Sequence, residues 1–407
     1  MKEQEEFNFS EFEKEALEKL KQGHPLSGEN GIFTPLIKRF LEASLEGELN
    51  AHMIEHGTGN RRNGKMGKTV KTSLGSIPID TPRDRNSSFT PQIIRKRQTV
   101  LNDELDKKII SMYSLGMSYS DIRSHLLEMY GLETSESTMT SVTDQIIDDV
   151  KAWQNRPLES LYPIVWLDAI HFKVREENHI VTKAVYCIIG LNRDGLKDIL
   201  GLYIGQSEGA RFWLSVLTSL KERGVKDLLI ACIDNLKGFP EAIEVVFPQT
   251  DVQLCVVHQV RNTLRFVPWK QSREVLRDVK KIYKAPTIEQ SKKELENFTE
   301  KWEKKYPHAV KSWNTNWEKL TNFYKYPQEI RKIIYTNNII ENFNAQLRKV
   351  TKTKRSFSSD MSLLKLLYLV QNRYVNEKWK NPVFGWKTIQ SQFLIIFAER
   401  FNADTVY

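Results

Sequence analysis

Cysteine and long apolar runs are both scarce in this sequence of 407 residues. The three cysteines, Cys187, Cys232 and Cys255, lie in apolar, strand-like stretches and lack the regular spacing of a disulfide framework. We therefore expect reduced thiols in the core of a cytoplasmic protein. No run of about 18 apolar residues is present, so we expect no membrane-spanning helix and no membrane partner.

The sequence also lacks a secretory leader. Residues 1–20 are acidic and amphipathic, without the basic and apolar regions of a signal peptide, so we expect no export. Hydrophobic residues make up 40% of the chain and charged residues 27%, which is typical of a globular protein with a substantial core. The length predicts roughly two to three domains.

Positive charge is in excess and is unevenly distributed. Lys and Arg number 60 against 51 Asp and Glu, which gives a net charge of +9. Much of the excess lies in three clusters, residues 61–72, 82–98 and 346–357, in which Gly, Ser or Thr separate the cations. Such clusters predict contacts with a phosphate backbone, and a solvated charged surface is the alternative. The candidate DNA-contacting cations of the chain are Arg61, Arg62, Lys65, Arg83, Arg85, Arg95, Lys96, Arg97, Arg261, Arg348, Lys349, Lys352, Lys354 and Arg355.

The first part of the chain has mainly helical patterns. Residues 1–56 carry apolar residues at helical spacing and form a predicted N-terminal helical region. Residues 57–102 are basic and rich in Gly and Pro, and we expect this segment to contact DNA and to include a small hairpin. Residues 103–155 are helical again, with Gly116 ending one helix and Ser118 capping the next. This layout predicts a helix-turn-helix-like DNA-binding domain, although an ordinary helical bundle has the same pattern.

The pattern changes to α/β from Tyr162 onwards. Apolar runs and turns predict the order βββ-α-β-α-β, in which three antiparallel strands precede two strands that alternate with helices. A mixed five-stranded sheet with helices on its faces is the ribonuclease H-like layout. We assign residues 156–268 to the first part of this core, 269–331 to an all-helical insertion and 332–407 to the helices that complete the core.

Two carboxylates stand out in the predicted strands. Asp168 lies within the apolar strand IVWLDAIHF, and Asp234 ends the apolar run LLIACID. A lone Asp in a strand is more often an edge residue or a turn cap, but the first and fourth strands of this fold are neighbours, which brings the pair together. Two adjacent carboxylates repel each other in a buried site unless a cation lies between them. Hard oxygen ligands predict Mg²⁺ or Mn²⁺.

A two-metal site usually needs a third carboxylate, and Glu341 is the candidate. It lies in the first turns of a predicted helix, on the flank of an apolar stripe formed by Ile340, Phe343 and Leu347. An acidic residue at a helix start that interacts with the helix dipole is the alternative. The spacing of these residues does not decide between the two roles.

Eight motifs together resemble those of one known family. They are RRNGK, PRDRNSSFTPQII, YSLGMSYSDI, YPIVWLDAIHFKVR, LGLYIGQSEGARFW, DNLKGFPEAI, QLCVVHQVRN and IYTNNIIENFNAQLRKVTK. From about Phe33 to Arg400 the chain resembles the bacterial insertion-sequence transposases of the Mutator-like group, which carry an Asp-Asp-Glu triad. By position, the resemblance implies that Asp168, Asp234 and Glu341 are catalytic and hold two Mg²⁺ or Mn²⁺ ions.

The resemblance also implies a function. Such an enzyme binds the terminal inverted repeats of an insertion sequence in double-stranded DNA, cuts the 3′ ends and joins them to target DNA. Holding two ends together implies a homodimer, acting in the bacterial cytoplasm and on the nucleoid when bound to DNA. The competing interpretations are another nuclease of this fold, such as a junction resolvase, a DNA-binding protein without activity, and a helical interaction protein.

Two further groups of residues have open roles. Cys255 and His258 form the motif CVVH, which the resemblance places near the active site, where His258 is a candidate for contact with the scissile phosphate. A core cysteine with a hydrogen-bonded histidine is the alternative, and a zinc site lacks its second pair of ligands. Trp302, Trp313 and Trp317 recur at helical spacings, which favours a core stripe over stacking on an unpaired base.

Overall fold

A computed structural model describes residues 8–26, 30–56, 59–72, 75–96, 103–205, 209–235, 238–335 and 338–401. The chain divides into two compact units, Met1–Gln145 and Ile146–Tyr407. Within the described residues, no helix is both long and apolar enough to cross a membrane.

The first unit is mainly helical and contains one hairpin. Its elements are α1 (Phe9–Lys21), α2 (Thr34–His56), β1 (Arg62–Thr72), β2 (Gly75–Asp84), α3 (Asp103–Ser114), α4 (Tyr119–Tyr130) and α5 (Glu136–Asp144). The strands β1 and β2 pair in antiparallel fashion. Helix α2 packs on this hairpin through a cluster of buried apolar side chains: Leu41, Leu45, Val70, Ile77, Ile79 and Ile94.

Helix α4 begins as the sequence predicts. The hydroxyl of Ser118 accepts a hydrogen bond from the backbone amide of Asp121, whose carboxylate in turn accepts from the Ser118 backbone amide. This reciprocal capping box satisfies amide groups that the first turn of a helix leaves without partners. At the other end, Gly131 adopts a φ of 61°, a left-handed conformation that glycine reaches at little cost.

The second unit starts with a helix and then forms an α/β sheet. Its first elements are α6 (Ile147–Asn155), β3 (Leu161–Glu176), β4 (His179–Leu191), β5 (Lys197–Gly205), α7 (Ala210–Glu222), β6 (Asp227–Ile233), α8 (Phe239–Val246), β7 (Asp251–Leu254) and α9 (Val256–Arg265). The strand order is β5-β4-β3-β6-β7. The first three strands are antiparallel, while β3–β6 and β6–β7 are parallel. The predicted mixed five-stranded sheet is therefore confirmed.

Helices follow the sheet to the end of the described chain. They are α10 (Trp269–Lys284), α11 (Ile288–Trp302), α12 (Pro307–Thr315), α13 (Trp317–Thr321), a 3₁₀ turn (Asn322–Lys325), α14 (Gln328–Ile334), α15 (Asn338–Thr351), α16 (Asp360–Lys378), α17 (Trp386–Ile396) and α18 (Ala398–Phe401). Helix α15 packs against β3, and α10 packs against both α9 and α11.

The central strand β3 explains where the site lies. Residues 161–168 are all buried because neighbouring strands flank this part of β3 and helices cover the sheet. In the β3–β6 register, Leu167 pairs with Ile233, so the residues that follow them, Asp168 and Asp234, lie at the same edge of the sheet. Ligand sites of open α/β sheets gather at the carboxyl ends of such strands.

Candidate metal-binding carboxylate site

Asp168 and Asp234 meet where the pairing of β3 and β6 ends. Asp168 is buried, with 7% of its surface exposed, and Asp234 is half-buried. Together with His258 they form a group in which one ligand atom of each residue lies within 4.8 Å of the others. The neighbouring strands predicted from the sequence thus bring the two carboxylates together.

The pKa of Asp168 reflects this crowding. Burial raises the pKa of the Asp168 carboxyl to about 6, and the negative charge of Asp234 contributes in the same direction. The charge of His258 and a hydrogen bond from the backbone amide of Ala169 act in the opposite direction without cancelling the shift. The ionised form of Asp168 is therefore disfavoured where no further cation is close.

His258 supplies positive charge to the pair from helix α9. Its Nδ1 contacts Oδ1 of Asp234. Burial alone would lower the pKa of His258, but the interactions with Asp234 and Cys255 outweigh burial and raise it to about 10. The imidazole therefore carries a proton at neutral pH in this arrangement, as a counter-charge for Asp234.

Helix α15 brings two side chains to the same place. Oε1 of Glu341 lies 2.8 Å from Nη1 of Arg261, which follows His258 by one turn on α9. The Asn344 carboxamide donates a hydrogen bond from Nδ2 to Oδ2 of Asp168 over 2.6 Å. Since residues three apart share one helix face, α15 presents Glu341 and Asn344 together to the site.

The residues present fit a divalent cation of the hard type. Asp168 and Asp234 supply carboxylate oxygens and Asn344 supplies a buried carboxamide, and hard oxygens are the donors that Mg²⁺ and Mn²⁺ prefer. Among the described residues Glu341 is not a member of the converging group, but its charge contributes to the raised pKa of Asp168. Oδ1 of Asn344 is buried and has no hydrogen-bond partner within the described part of the chain. In this structure His258 and Arg261 balance the charge of Asp234 and Glu341.

Cys255 lies beside this site without joining the group of potential ligands. It immediately precedes α9, and its side chain is buried, with 2% exposed. The Cys255 side chain is close enough to His258 to form a hydrogen bond with it, and His258 also contacts Asp234, so the buried cysteine supports the histidine of the site.

The insertion tryptophans are mostly core residues. Trp302 and Trp313 are buried, with 4% and 1% of their surfaces exposed. Their indole nitrogens donate hydrogen bonds to Asp278 and Thr263, over 3.1 Å and 2.8 Å. Neither ring is available for base stacking in this structure, because each packs into the helical core. Trp317 is half-buried.

The candidate DNA-contacting cations of the first unit lie at its surface. Arg61, Arg83, Arg85 and Arg95 are exposed. Three other cations form contacts within the unit. Arg62 and Lys65 pair with Glu46, and Lys96 donates to a backbone carbonyl. Arg97 lies outside the described residues.

The cations in the last turn of α15 and just beyond it lie in the second unit. Arg348, Lys349, Lys352 and Arg355 are exposed, and Lys354 is half-buried. The segment ends at Phe357, whose backbone bonds to Lys173 and Arg175 and forms a parallel bridge with Val174 of β3. The basic segment is therefore anchored next to the strand that carries Asp168.

Sequence reasoning missed Asn344 as a member of the site. A signal was available, because Asn344 follows Glu341 by three positions and a buried helix face seldom carries a carboxamide without a partner. The hydrogen bond to Asp168 joins residues that are 176 positions apart, so sequence spacing alone does not reveal it.

Comparisons with known proteins identify the family of the chain. The profile described as Transposase, Mutator family matches residues 8–382. The chain is 45% identical over 397 residues to the transposase for insertion sequence element ISRM3 of Rhizobium meliloti, covering 96% of this chain and 99% of that protein. It is 44% identical, with the same coverage, to a probable transposase for an ISRM3-like element of Sinorhizobium fredii.

A more distant likeness concerns a solved structure. The Drosophila P element transposase strand transfer complex is 11% identical with a TM-score of 0.28, covering 74% of this chain and 84% of that chain, and bears on neither fold nor function. The family match and the two relatives span most of the sequence, including the strands and helices that carry the carboxylates. The chain therefore belongs to the Mutator family of transposases.

Proposed function

We propose that this transposase binds the terminal inverted repeats of an insertion sequence, cuts the 3′ ends in a metal-dependent reaction and transfers them to target DNA. The observation that supports the proposal is the pairing of β3 with β6, which brings Asp168 and Asp234 together, with Asn344 of α15 hydrogen-bonded to Asp168. In this proposal the sheet and helices of the second unit are a ribonuclease H-like core with the helical insertion at 269–331.

The proposed catalytic residues are Asp168, Asp234 and Glu341, which would hold two Mg²⁺ or Mn²⁺ ions. When bound, these ions supply Lewis-acid chemistry that lowers the pKa of a water and stabilises the leaving 3′ oxygen. Asn344 orients the Asp168 carboxylate through its hydrogen bond. The chain itself contributes positioning and charge stabilisation, without a covalent intermediate.

His258 and Arg261 have a second task in this proposal. They contact Asp234 and Glu341 in the structure, so they are close to any phosphate that those carboxylates position. Water attacks the scissile phosphorus and the P–O3′ bond breaks, which leaves a 3′ hydroxyl on the element and a 5′ phosphate on the flanking strand. That hydroxyl then attacks a phosphodiester of the target, whose own P–O3′ bond breaks as the new P–O bond forms, so the target's 3′ oxygen leaves as a hydroxyl. At both steps, cationic donors can stabilise negative charge that develops on the phosphate oxygens.

The remaining assignments follow from the reaction. Residues 57–102 and 103–155 bind the terminal repeat, and two copies of the chain form a homodimer because two ends must be held together. The cations at 348–355 contact the DNA backbone near the cut, and the protein acts in the bacterial cytoplasm, on the nucleoid.

The proposal is tested by a two-plasmid transposition assay in bacteria, in which one plasmid supplies the protein and the other a marked element. We expect transposition with the wild type and none with Asp234→Asn, while purified Asp234→Asn still binds the terminal repeat. Asp194→Asn, an exposed carboxylate in the β4–β5 turn, is the matched control and should transpose normally. Transposition at the wild-type rate by Asp234→Asn would remove Asp234 from the site.

A further inference from the structure

Helix α10 exposes a ridge of cations that the catalytic site does not explain. The ridge consists of Lys270, Arg273, Arg277, Lys280 and Lys284, separated by three, four, three and four positions. This spacing places all five side chains on one helix face, and all five are exposed. Within the part of the chain that the structure describes, none of these side chains forms an ion pair or a hydrogen bond.

The acidic side chains of α10 pair with lysines outside the ridge. Glu274 pairs with Lys301 of α11 over 2.8 Å. Asp278 pairs with the same lysine and with Lys281, and accepts a hydrogen bond from Trp302. The carboxylates of α10 are thus used in packing against α11, so they do not neutralise the ridge.

The neighbouring helix α11 has exposed charges of both signs, as is usual for a solvent-exposed helix face. The exposed charged residues of α11 from Glu289 to Glu300 are two lysines and three glutamates. A mixed surface of that kind has little affinity for a polyanion, because attraction and repulsion offset each other. A surface that carries only positive charge is therefore a feature of α10 and is not shared by α11.

The ridge is connected to the catalytic site through α9. Arg261 contacts Glu341, and Arg265 follows one turn later as an exposed residue at the end of the same helix. Phe266 directly follows α9 and Trp269 begins α10, with 43% and 85% of their surfaces exposed. Cations and aromatic rings therefore lead from the carboxylates to the first residue of the ridge, Lys270.

We infer that the α10 ridge binds the phosphate backbone of the DNA segment that leaves the catalytic site, and that Trp269 packs on an unpaired base next to the cut. The inference rests on the proposed DNA-cleaving function. From Lys270 to Lys284 the ridge covers 15 residues of helix, or about 21 Å, which matches roughly six phosphates along one strand. An exposed indole beside a line of cations is the combination that binds single-stranded DNA.

The ridge is tested by salt-dependent binding of the full chain to a labelled duplex carrying the terminal repeat, without divalent metal. A plot of the log of the binding constant against the log of the salt concentration has a slope of about −0.9 for each phosphate contact. We expect this slope to be less steep by about 1.8 for the K270Q/K280Q protein, because two contacts are lost. K292Q/K293Q on α11 removes the same charge from the mixed surface and should keep the wild-type slope. Equal slopes for both double variants would overturn the proposal for the ridge.

Trp269 is tested with a forked duplex that leaves bases unpaired at the element boundary. We expect Trp269→Ala to weaken binding of the forked duplex about tenfold, with Trp269→Phe close to the wild type, because every base can stack on an aromatic ring. Binding of the fully paired duplex should change little. Equal losses on both duplexes, or no loss on either, would overturn the stacking role.

The binding readout separates this inference from the proposed function. If the wild type binds the repeat but never cuts it in Mg²⁺, the proposed function fails while a reduced slope for K270Q/K280Q still supports the ridge. If the wild type cuts normally and K270Q/K280Q keeps the full slope, the ridge fails alone. Thermal unfolding of each variant should match the wild type, because all substituted side chains are exposed.

Discussion

Asn344 and Asp168 are joined by a hydrogen bond of 2.6 Å between the carboxamide nitrogen and a carboxylate oxygen. Both residues are buried, and they come from helix α15 and strand β3. Since Glu341 lies on the same face of α15, the helix contributes a carboxylate and also orients one that the sheet contributes. The geometry of the proposed triad therefore depends on how α15 packs on β3.

Removing the Asn344 carboxamide should disturb catalysis more than DNA binding. We predict that Asn344→Ala lowers the cleavage rate about ten- to a hundredfold, because a hydrogen bond to a charged group contributes about 1.5–3 kcal/mol. It should also raise the Mg²⁺ concentration needed for half-maximal rate, which a purely structural role would not change. Asn342→Ala, an exposed asparagine on the same helix, is the control. An unchanged Mg²⁺ requirement in Asn344→Ala would contradict the positioning role.

The cations at the C-terminal end of α15 and just beyond it should govern part of the salt dependence of DNA binding. We predict that neutralising Lys349, Lys352 and Lys354 together lowers the slope of log binding constant against log salt, by up to about 0.9 per residue. The measurement is fluorescence anisotropy of a labelled terminal repeat over a range of salt concentrations. A slope equal to that of the wild type would place the three lysines away from the phosphates.

Asp84 should stabilise the first unit in a pH-dependent way. Burial by itself would raise the pKa of Asp84, but hydrogen bonds from Asn60, Ser88 and Phe89 hold it well below its usual range. Because the folded-state pKa is depressed, this stabilisation is complete above the unfolded-state pKa of about 3.9 and is lost as the pH falls below it.

We therefore predict that Asp84→Asn lowers the free energy of unfolding by about 3 kcal/mol at pH 7, because the amide cannot accept the bonds made to Oδ2. The difference from the wild type should shrink as the pH falls below about 4. Urea denaturation at several pH values measures both effects, with Asp80→Asn on the exposed side of β2 as the control. A difference that is constant with pH would mean that ionised Asp84 does not stabilise the unit.

The sequence predicts the sheet and the paired aspartates for a physical reason. Burying a carboxylate at the end of an apolar strand is energetically unfavourable unless the carboxylate is paired or binds a metal. The element order makes β3 and β6 neighbours, so each aspartate has a nearby group with which it can share a site. In the structure Leu167 of β3 pairs with Ile233 of β6, which confirms that the two strands are neighbours. The capping box at Ser118 was also predictable, because it is a local interaction.

Other features depend on tertiary structure. The partner of Asn344 lies far away in sequence, so no local pattern reveals it. The helical spacing of Trp302 and Trp313 predicts one shared helix face, but the two residues lie in different helices, α11 and α12. Both rings are buried, as the core interpretation predicts, whereas the stacking hypothesis needs exposed rings. The exposed aromatic residue at the start of α10 is Trp269 instead, and its exposure follows from how α10 packs on α9 and α11.

The central claim is that Asp168 and Asp234 act together in metal-dependent cleavage and joining. The most direct measurement incubates purified protein and Mg²⁺ with a labelled duplex carrying the terminal repeat, and follows nicked and joined strands on a sequencing gel beside Asp168→Asn. We predict a Mg²⁺-dependent nick at the 3′ end of the element, followed by a joined product, with neither in the variant. Specific binding without a nick in any divalent metal, or equal cleavage by Asp168→Asn, would contradict the claim.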